Sequence, residues 1–460
     1  MPLHGNDRFD EKESSAARVA KILESADIDT VMVAFADHQG RLMGKRLSAK
    51  HFIGQAASSG LEACDYLLAA DIELEPLPGF QSFGWHKGYG DFHLAPDLTT
   101  FRVVPWFESS ALVLCDVTDE EGRPVEVAPR RVLQRQLERA ARQGFFVDAA
   151  TELEFYLFDG SYRDVAGGRL PRPTTDHIID YDLLGTSRDE PVLRRIRNAM
   201  NEADIPVEGS KGEWGRGQHE VNFAHGPALV TADRHVLFKQ GVKVIAAQEG
   251  RAATFMAKPA THMAGSSCHI HVNFRDEEGK NLFCPQEGNG PSDRFNAFMG
   301  GLVRHLGDLG LLLAPTVNSY RRYRSKTFAP VNLAWGWDNR TAGLRVVGQG
   351  RSLRVECRVA GADANPYLAL AAIVAAGLAG IEGGMDPPPP VEGNAYELSG
   401  LPRVASSLGA AAARFKASNM ATQAFGPEVV EHYAHLAELE QEEAERQVTD
   451  WEVRRYFERI

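Results

Sequence analysis

Three short stretches alternate charged or imidazole groups with apolar ones, and this alternation limits the fold more than any other feature of the chain. They are Glu152-Leu153-Glu154-Phe155, His269-Ile270-His271 and Arg354-Val355-Glu356-Cys357-Arg358. Successive side chains on a strand point to opposite faces, so each stretch predicts a strand with an apolar face for a core and a polar face for something else. A lone E-x-E is most often a solvated strand face. Several such sets in one chain, each backed by an apolar face, point instead to one shared site. Glu213 and Glu220 flank a further stretch, E-W-G-R-G-Q-H-E, which its glycines make a loop. Carboxylates with one imidazole suit Mg²⁺ or Mn²⁺, and two such cations suit phosphoryl transfer. Arginines beside them suit phosphate and carboxylate oxygens, which a guanidinium grips in pairs. Spacing alone therefore indicates a metal-dependent site that handles phosphates.

The remainder of the chain organises around these strands. Thr30–Ala36 and Leu42–Arg46 read as strands joined by a turn at Asp37–Gly40, with further strands at Phe101–Pro105 and Ala111–Val117. Glu75–Gly90, dense in Pro, Gly and aromatics, reads as a loop. Helices are predicted at Ala16–Ser25, Pro129–Arg142, Val192–Ala203, Leu229–Glu249, Asp293–Leu313 and Pro427–Arg446, with one capped by Asn365 and begun by Pro366. Ala253–Ala257, His269–Phe274, Gly343–Val347 and Ser352–Val359 read as strands. Strands interrupted by helices in this manner predict an α+β fold with a largely antiparallel sheet. The 460 residues are enough for two or three domains. We place a small domain over residues 1–122 and a large catalytic domain over 123–460.

Composition enters through what it excludes. A net charge of −12 provides no general attraction for nucleic acid. Five scattered cysteines, none in a C-x-x-C pair, predict reduced thiols in a cytoplasm. Tyr367–Ile381 is apolar but short and rich in small residues, which predicts a buried helix and no membrane span.

At this point T-E-L-E-F, G-E-W-G-R-G-Q-H-E, G-S-S-C-H-I-H, N-S-Y-R-R, W-D-N-R-T and R-V-E-C-R…N-P-Y-L, in that order, resemble the glutamine synthetase family. The closing T-D-W-E-V-R-R-Y-F is similar to the subgroup that makes γ-glutamyl amides from organic amines. The resemblance implies a β-grasp-like small domain and a large domain with a curved, mostly antiparallel sheet flanked by helices. It also implies ATP as co-substrate, glutamate as acceptor of the phosphoryl group, and two or three Mg²⁺ or Mn²⁺ ions per site. Glu154, Glu213 and Glu220 would hold one ion; Glu152, His269 and Glu356 would hold the second. His271 would lie beside ATP, Arg340, Arg345 and Arg354 would grip its phosphates, and Gly265, Arg322 and Arg358 would surround glutamate. The family assembles as two stacked rings of six, which implies a homododecamer.

The chain also departs from the family. Phe328 stands where glutamine synthetases place a glutamate that binds and deprotonates ammonium. The small domain has S-F-G-W-H-K-G-Y-G-D in place of D-G-S-S, so a second carboxylate is missing, and Ala264 replaces an asparagine before Gly265. Losing anions and gaining an aromatic disfavours NH₄⁺ and makes room for a carbon-bearing amine. Arg324 and Lys326 speak against a polyamine, so a small amine such as ethanolamine or an alkylamine fits best. The alternatives are a true glutamine synthetase, a γ-glutamyl-polyamine or γ-glutamyl-anilide synthetase, and a non-catalytic ring homologue. Glu213, His219 and Tyr181 are the candidates for taking the amine's proton. Tyr396 stands where some relatives carry a modified tyrosine.

Overall fold

Strand β1 (Thr30–Ala36) is a near-continuous apolar run that is buried on both faces, as a central strand requires. It turns back through Asp37–Gly40 into β2 (Leu42–Ser48), pairing antiparallel from Thr30 opposite Ser48 to Ala36 opposite Leu42. The Asp37 carboxylate holds that turn by accepting from the backbone N–H of Gln39 at 3.0 Å and of Arg41 at 2.8 Å. Further strands are β3 (Leu61–Cys64), β4 (Asp91–Pro96), β5 (Arg102–Val103) and β6 (Ser110–Thr118). They form a six-stranded sheet in the order β2-β1-β6-β4-β3, with β5 alongside β6 and the β1–β6 pair parallel. The computed structural model describes residues 15–168, 170–285 and 290–460.

The second sheet has nine strands: β7 (Phe146–Asp159), β8 (Val207–Gly212), β9 (Gln218–Phe223), β10 (Gly226–Pro227), β11 (Arg251–Thr254), β12 (Cys268–Arg275), β13 (Trp335–Trp337), β14 (Leu344–Val347) and β15 (Arg354–Cys357). Their order is β13-β14-β15-β12-β7-β9-β8, with β10 and β11 also on β7, and every pair but β13–β14 is antiparallel. Leu153, Phe155, Ile270, Val355 and Cys357 are buried on the apolar face. Phe155 meets Phe238 of the Ala228–Gln248 helix edge-on at 6.3 Å. Behind that layer the Pro366–Gly383 helix packs against the Asp293–His305 and Pro129–Ala141 helices. It crosses the Asp293–His305 helix at Gly380, where a Cβ would fall 2.1 Å from the Ala297 carbonyl oxygen, so only glycine permits the approach. This helix is long and apolar enough to cross a membrane, yet 78% of that window is buried inside the protein.

The two sheets meet at a cap. The Asn365 side chain accepts from the Tyr367 N–H at the start of the Pro366–Gly383 helix and donates to the carbonyls of Asp37 and His38 at 3.1 Å each. One contiguous apolar core runs beneath both sheets.

Several elements differ from the sequence expectation. The helix from Asp293 stops at His305 and not at Leu313, because Gly307 and Gly310 interrupt it and a short 3₁₀ turn, Gly310–Leu312, follows. Strand β11 begins two residues early, at Arg251, and ends at Thr254. The Glu213–Glu220 stretch is a hairpin whose second arm, β9, carries Glu220 on a strand. The reversal is achieved within a few residues, with Gly217 at φ +69°. The sequence expectation does not include β3 and β4: β3 is the sheet's edge, and β4, between β6 and β3, buries Phe92 and Leu94 while its other residues are partly or fully exposed.

Candidate active site

Register brings the ligand-type residues together. Glu152 lies directly opposite His269, Glu154 opposite Glu220, and Glu356 opposite both His271 and Arg345. Directly opposed residues on neighbouring strands share a face, so these side chains converge on one side of β9-β7-β12-β15-β14. The His269 Nδ1 lies 3.2 Å from Glu152 and 3.5 Å from Glu356; the His271 Nε2 lies 2.9 Å from Glu152. Two overlapping groups, Glu152–His269–Glu356 and Glu154–Glu220–His269, each place their ligand atoms within 4.8 Å of one another.

The electrostatics divide the site in two. On one side burial works against the ionised Glu152, but hydrogen bonds from His269 and His271 outweigh it and hold its proton affinity well below normal. Burial likewise opposes ionisation of Glu356, which His269, Arg358, His271 and Arg345 more than offset. On the other side the carboxylates lack enough cations. Burial, then Glu213 and Glu220, push Glu154 well up. Burial, then Glu213 and Glu152, push Glu220 up to about 8. Burial also raises Glu213, even though Lys211 is ion-paired to it. Burial lowers His269 to about 4, which keeps its imidazole neutral. Its Nε2 is buried without a protein partner. A neutral imidazole grouped with under-neutralised carboxylates fits a hard divalent cation.

Arginines frame the cluster. Arg345 and Arg358 donate to the two oxygens of Glu356 at 2.8 and 2.6 Å, and Arg345 also bonds Asp338. Arg354 donates from Nε to the His271 Nδ1 at 3.1 Å, which leaves the His271 Nε2 to carry the hydrogen toward Glu152. Arg340 is exposed beside Asp338 and makes no hydrogen bond to the cluster. Arg322 is buried, with its terminal nitrogens bonded to the Val359 and Arg358 carbonyls and the Ser267 hydroxyl. Gly265 lies against it: a Cβ there would come within 2.7 Å of the Arg322 Cγ.

Other candidates separate. His219 faces Phe155 across the β7–β9 pair and so points into the core, where its Nε2 meets Asp189 at 2.8 Å; it is fully buried and away from the acidic cluster. It is therefore not placed to take a proton from a substrate. Tyr181 is exposed, and the Lys211 ammonium stands 4.4 Å from its ring centre. Phe328 is exposed at φ +58° and meets the Trp214 ring at 6.5 Å. Tyr396 donates its hydroxyl to the carbonyl of Ala329, the residue after Phe328, at 2.9 Å.

Some residues at the site were not anticipated. Gln218 donates to Glu154 at 3.0 Å and to the Gly265 carbonyl at 3.0 Å. It is two residues before Glu220, so the strand period would have identified it. The Ser267 N–H donates to Glu154 at 2.8 Å. Lys211 lies two residues before Glu213, which it pairs with, but its contact with Asp180, and that of Asp338 with Arg345, cross segments that no spacing reveals.

Comparison with known proteins agrees with this geometry. Residues 126–456 match the family described as glutamine synthetase, catalytic domain. A gamma-glutamylethanolamide synthetase of Streptomyces coelicolor is 47% identical over 441 residues, covering 95% of both chains. A glutamate–isopropylamine ligase of a Pseudomonas species is 36% identical over 457 residues, covering 98% of this chain and all of that one. The solved structure of ligand-free GmaS superposes with a TM-score of 0.83 at 30% identity, covering 96% of this chain and 99% of that one. The chain is a ligase belonging to the glutamine synthetase family.

Proposed function

We propose that this ligase joins the side-chain carboxylate of glutamate to a small primary amine with a neutral tail, ethanolamine or a short alkylamine, at the expense of ATP. The observation that carries this reading is the Phe328 ring in contact with Trp214, the residue after Glu213; the family resemblance aligns Phe328 with the position where ammonia-using members carry a carboxylate. The relatives named for an ethanolamide and for isopropylamine support it.

The chemistry follows from the residues. Glutamate's γ-carboxylate acylates nothing until phosphorylated, so it first takes the terminal phosphoryl group of ATP as a γ-glutamyl phosphate. Arg340, Arg345 and Arg354 are the groups for the nucleotide's phosphates, and His271 lies beside them. Gly265, Arg322 and Arg358 are the groups for glutamate. Glu154, Glu213 and Glu220 on one side, and Glu152, His269 and Glu356 on the other, would hold Mg²⁺ or Mn²⁺, which supply charge neutralisation at the phosphate oxygens. A primary amine has a pKa near that of lysine, about 10.4, and must lose a proton before attack. Of the candidates Glu213, His219 and Tyr181, His219 is turned into the core, which leaves Glu213 and Tyr181 to take it. We assign the small β-grasp-like unit to residues 1–122, the catalytic unit to 123–460, and a cytoplasmic dodecamer as the working assembly.

The test is mass identification of products from ATP and glutamate with ethanolamine, isopropylamine, putrescine, aniline and ammonium in separate reactions. The proposal expects γ-glutamylethanolamide or a γ-glutamylalkylamide as the fastest-formed product. Fastest formation of glutamine, or no ATP-dependent product with any amine, would remove it.

A further inference from the structure

We infer that Trp214 and Phe328 together form the specificity wall for the amine's carbon tail, a role that rests on the ligase reading above and extends it to Trp214. Trp214 directly follows Glu213, a member of the acidic cluster, at the turn between β8 and β9. Phe328 comes from a separate loop after the Ser319–Arg322 turn, more than a hundred residues along the chain. The two rings meet at 6.5 Å with their planes 63° apart. Each is 56% exposed, so neither ring is simply filling a core.

The loop that carries Phe328 is tied down on both sides of the ring. Phe328 adopts φ +58°, a left-handed conformation that a bulky side chain rarely takes and that places its ring toward Trp214. The loop is closed from inside by the Thr327 hydroxyl on the Arg324 carbonyl at 2.7 Å and from outside by the Tyr396 hydroxyl on Ala329. Edge-to-face rings leave a corner between one ring's face and the other's edge. That corner offers apolar surface to a tail of two or three carbons and attracts an arriving ammonium through the ring faces. Two cations, Arg324 and Lys326, precede Phe328 in its own loop. A second ammonium at the far end of a diamine would meet them. The wall therefore selects monoamines with a short apolar or hydroxylated tail over ammonium, which has no tail, and over diamines.

The test compares Trp214→Ala, Trp214→Phe, Phe328→Ala and the double alanine variant, each confirmed as folded by its melting transition. The readout is the ratio of kcat/KM for ethanolamine and isopropylamine to that for ammonium. Each single alanine variant should lower that ratio about tenfold, through KM and not kcat. Trp214→Phe should retain most of it. The double variant should fall well short of a hundredfold, since either truncation already destroys the shared corner. A ratio unchanged within about twofold in both single variants overturns the wall. If the wild-type enzyme prefers ammonium, the organic-amine reading fails; the wall is then read from competitive inhibition by the same amines. Their inhibition constants should rise about tenfold in the alanine variants, and constants that do not move overturn it independently.

Discussion

Glu356 is fully buried, yet it accepts from Arg345 and Arg358 and stands 3.5 Å from His269. Neutralising it leaves two guanidinium groups facing each other without their shared anion. Glu356→Gln should therefore abolish phosphate release and also destabilise the fold by about 3 kcal/mol, measured by denaturant unfolding. Phe328→Glu belongs to the same scale. It puts a carboxylate beside Trp214, so the rate with an organic amine should fall and that with ammonium should rise relative to it. Parallel kcat/KM values check this, and a ratio that stays within about twofold contradicts it. The side chains that alternation assigns to a polar face, Glu152, Glu154, His269, His271, Arg354 and Glu356, do converge, because period two is a property of the strand itself. His219 escaped that logic. Its neighbours Gln218 and Glu220 face the cluster, so the same period that brings them in turns His219 into the core.

At the scale of elements, β7, β9 and the turn before β9 hold carboxylates, Glu154, Glu220 and Glu213, that repel one another. Glu220 rises from an ordinary 4.5 to about 8 in the folded chain, so between those values the native state keeps a proton that the unfolded chain has lost. Stability of the metal-free protein must then decrease as pH rises through that window. Glu220→Gln removes one source of repulsion and should stabilise the metal-free protein at pH 8 by on the order of 1–3 kcal/mol, with little effect at pH 5. It should also shrink the rise in Tm that Mn²⁺ gives at pH 8. Scanning calorimetry at both pH values, with and without Mn²⁺, reads both effects. An unchanged melting transition at pH 8 contradicts the electrostatics. The helix begun by Pro366 was legible because a cap and an apolar run coincide there, whereas Leu408–Ala417 and Asn419–Phe425, capped by Ser407 and Ser418, were missed. The Asp293 helix was overextended because its apolar pattern continues past Gly307 and Gly310 into a 3₁₀ turn. The β8–β9 hairpin was hidden because Trp214 to Gly217 supply turn residues immediately before a short strand.

At the scale of the whole molecule, a nine-stranded sheet carries reactive groups on one face and rests on helices with the other. A six-stranded sheet is fastened to it through Asn365 and a shared core. Gly380→Ala forces a methyl group against Ala297, which should cost about 2–3 kcal/mol of stability while the ratio of ethanolamine to ammonium turnover stays at its wild-type value. Denaturant unfolding and paired rates check the two halves of that statement. The α+β class and the antiparallel character of the large sheet were readable from alternating strands and helices. The β4–β3 side of the small sheet was not, since β3 and β4 are short and half-buried and acquire strand form from their partners. The central claim is that the amine, not ammonia, is the nucleophile. Its most direct test is a competition in one vessel: ATP, glutamate, and equimolar ethanolamine and ammonium, with both amide products quantified by mass. Their ratio is the ratio of kcat/KM values. The account predicts γ-glutamylethanolamide over glutamine by at least about tenfold, or roughly 1.4 kcal/mol of discrimination; glutamine equal to or exceeding the ethanolamide would contradict it.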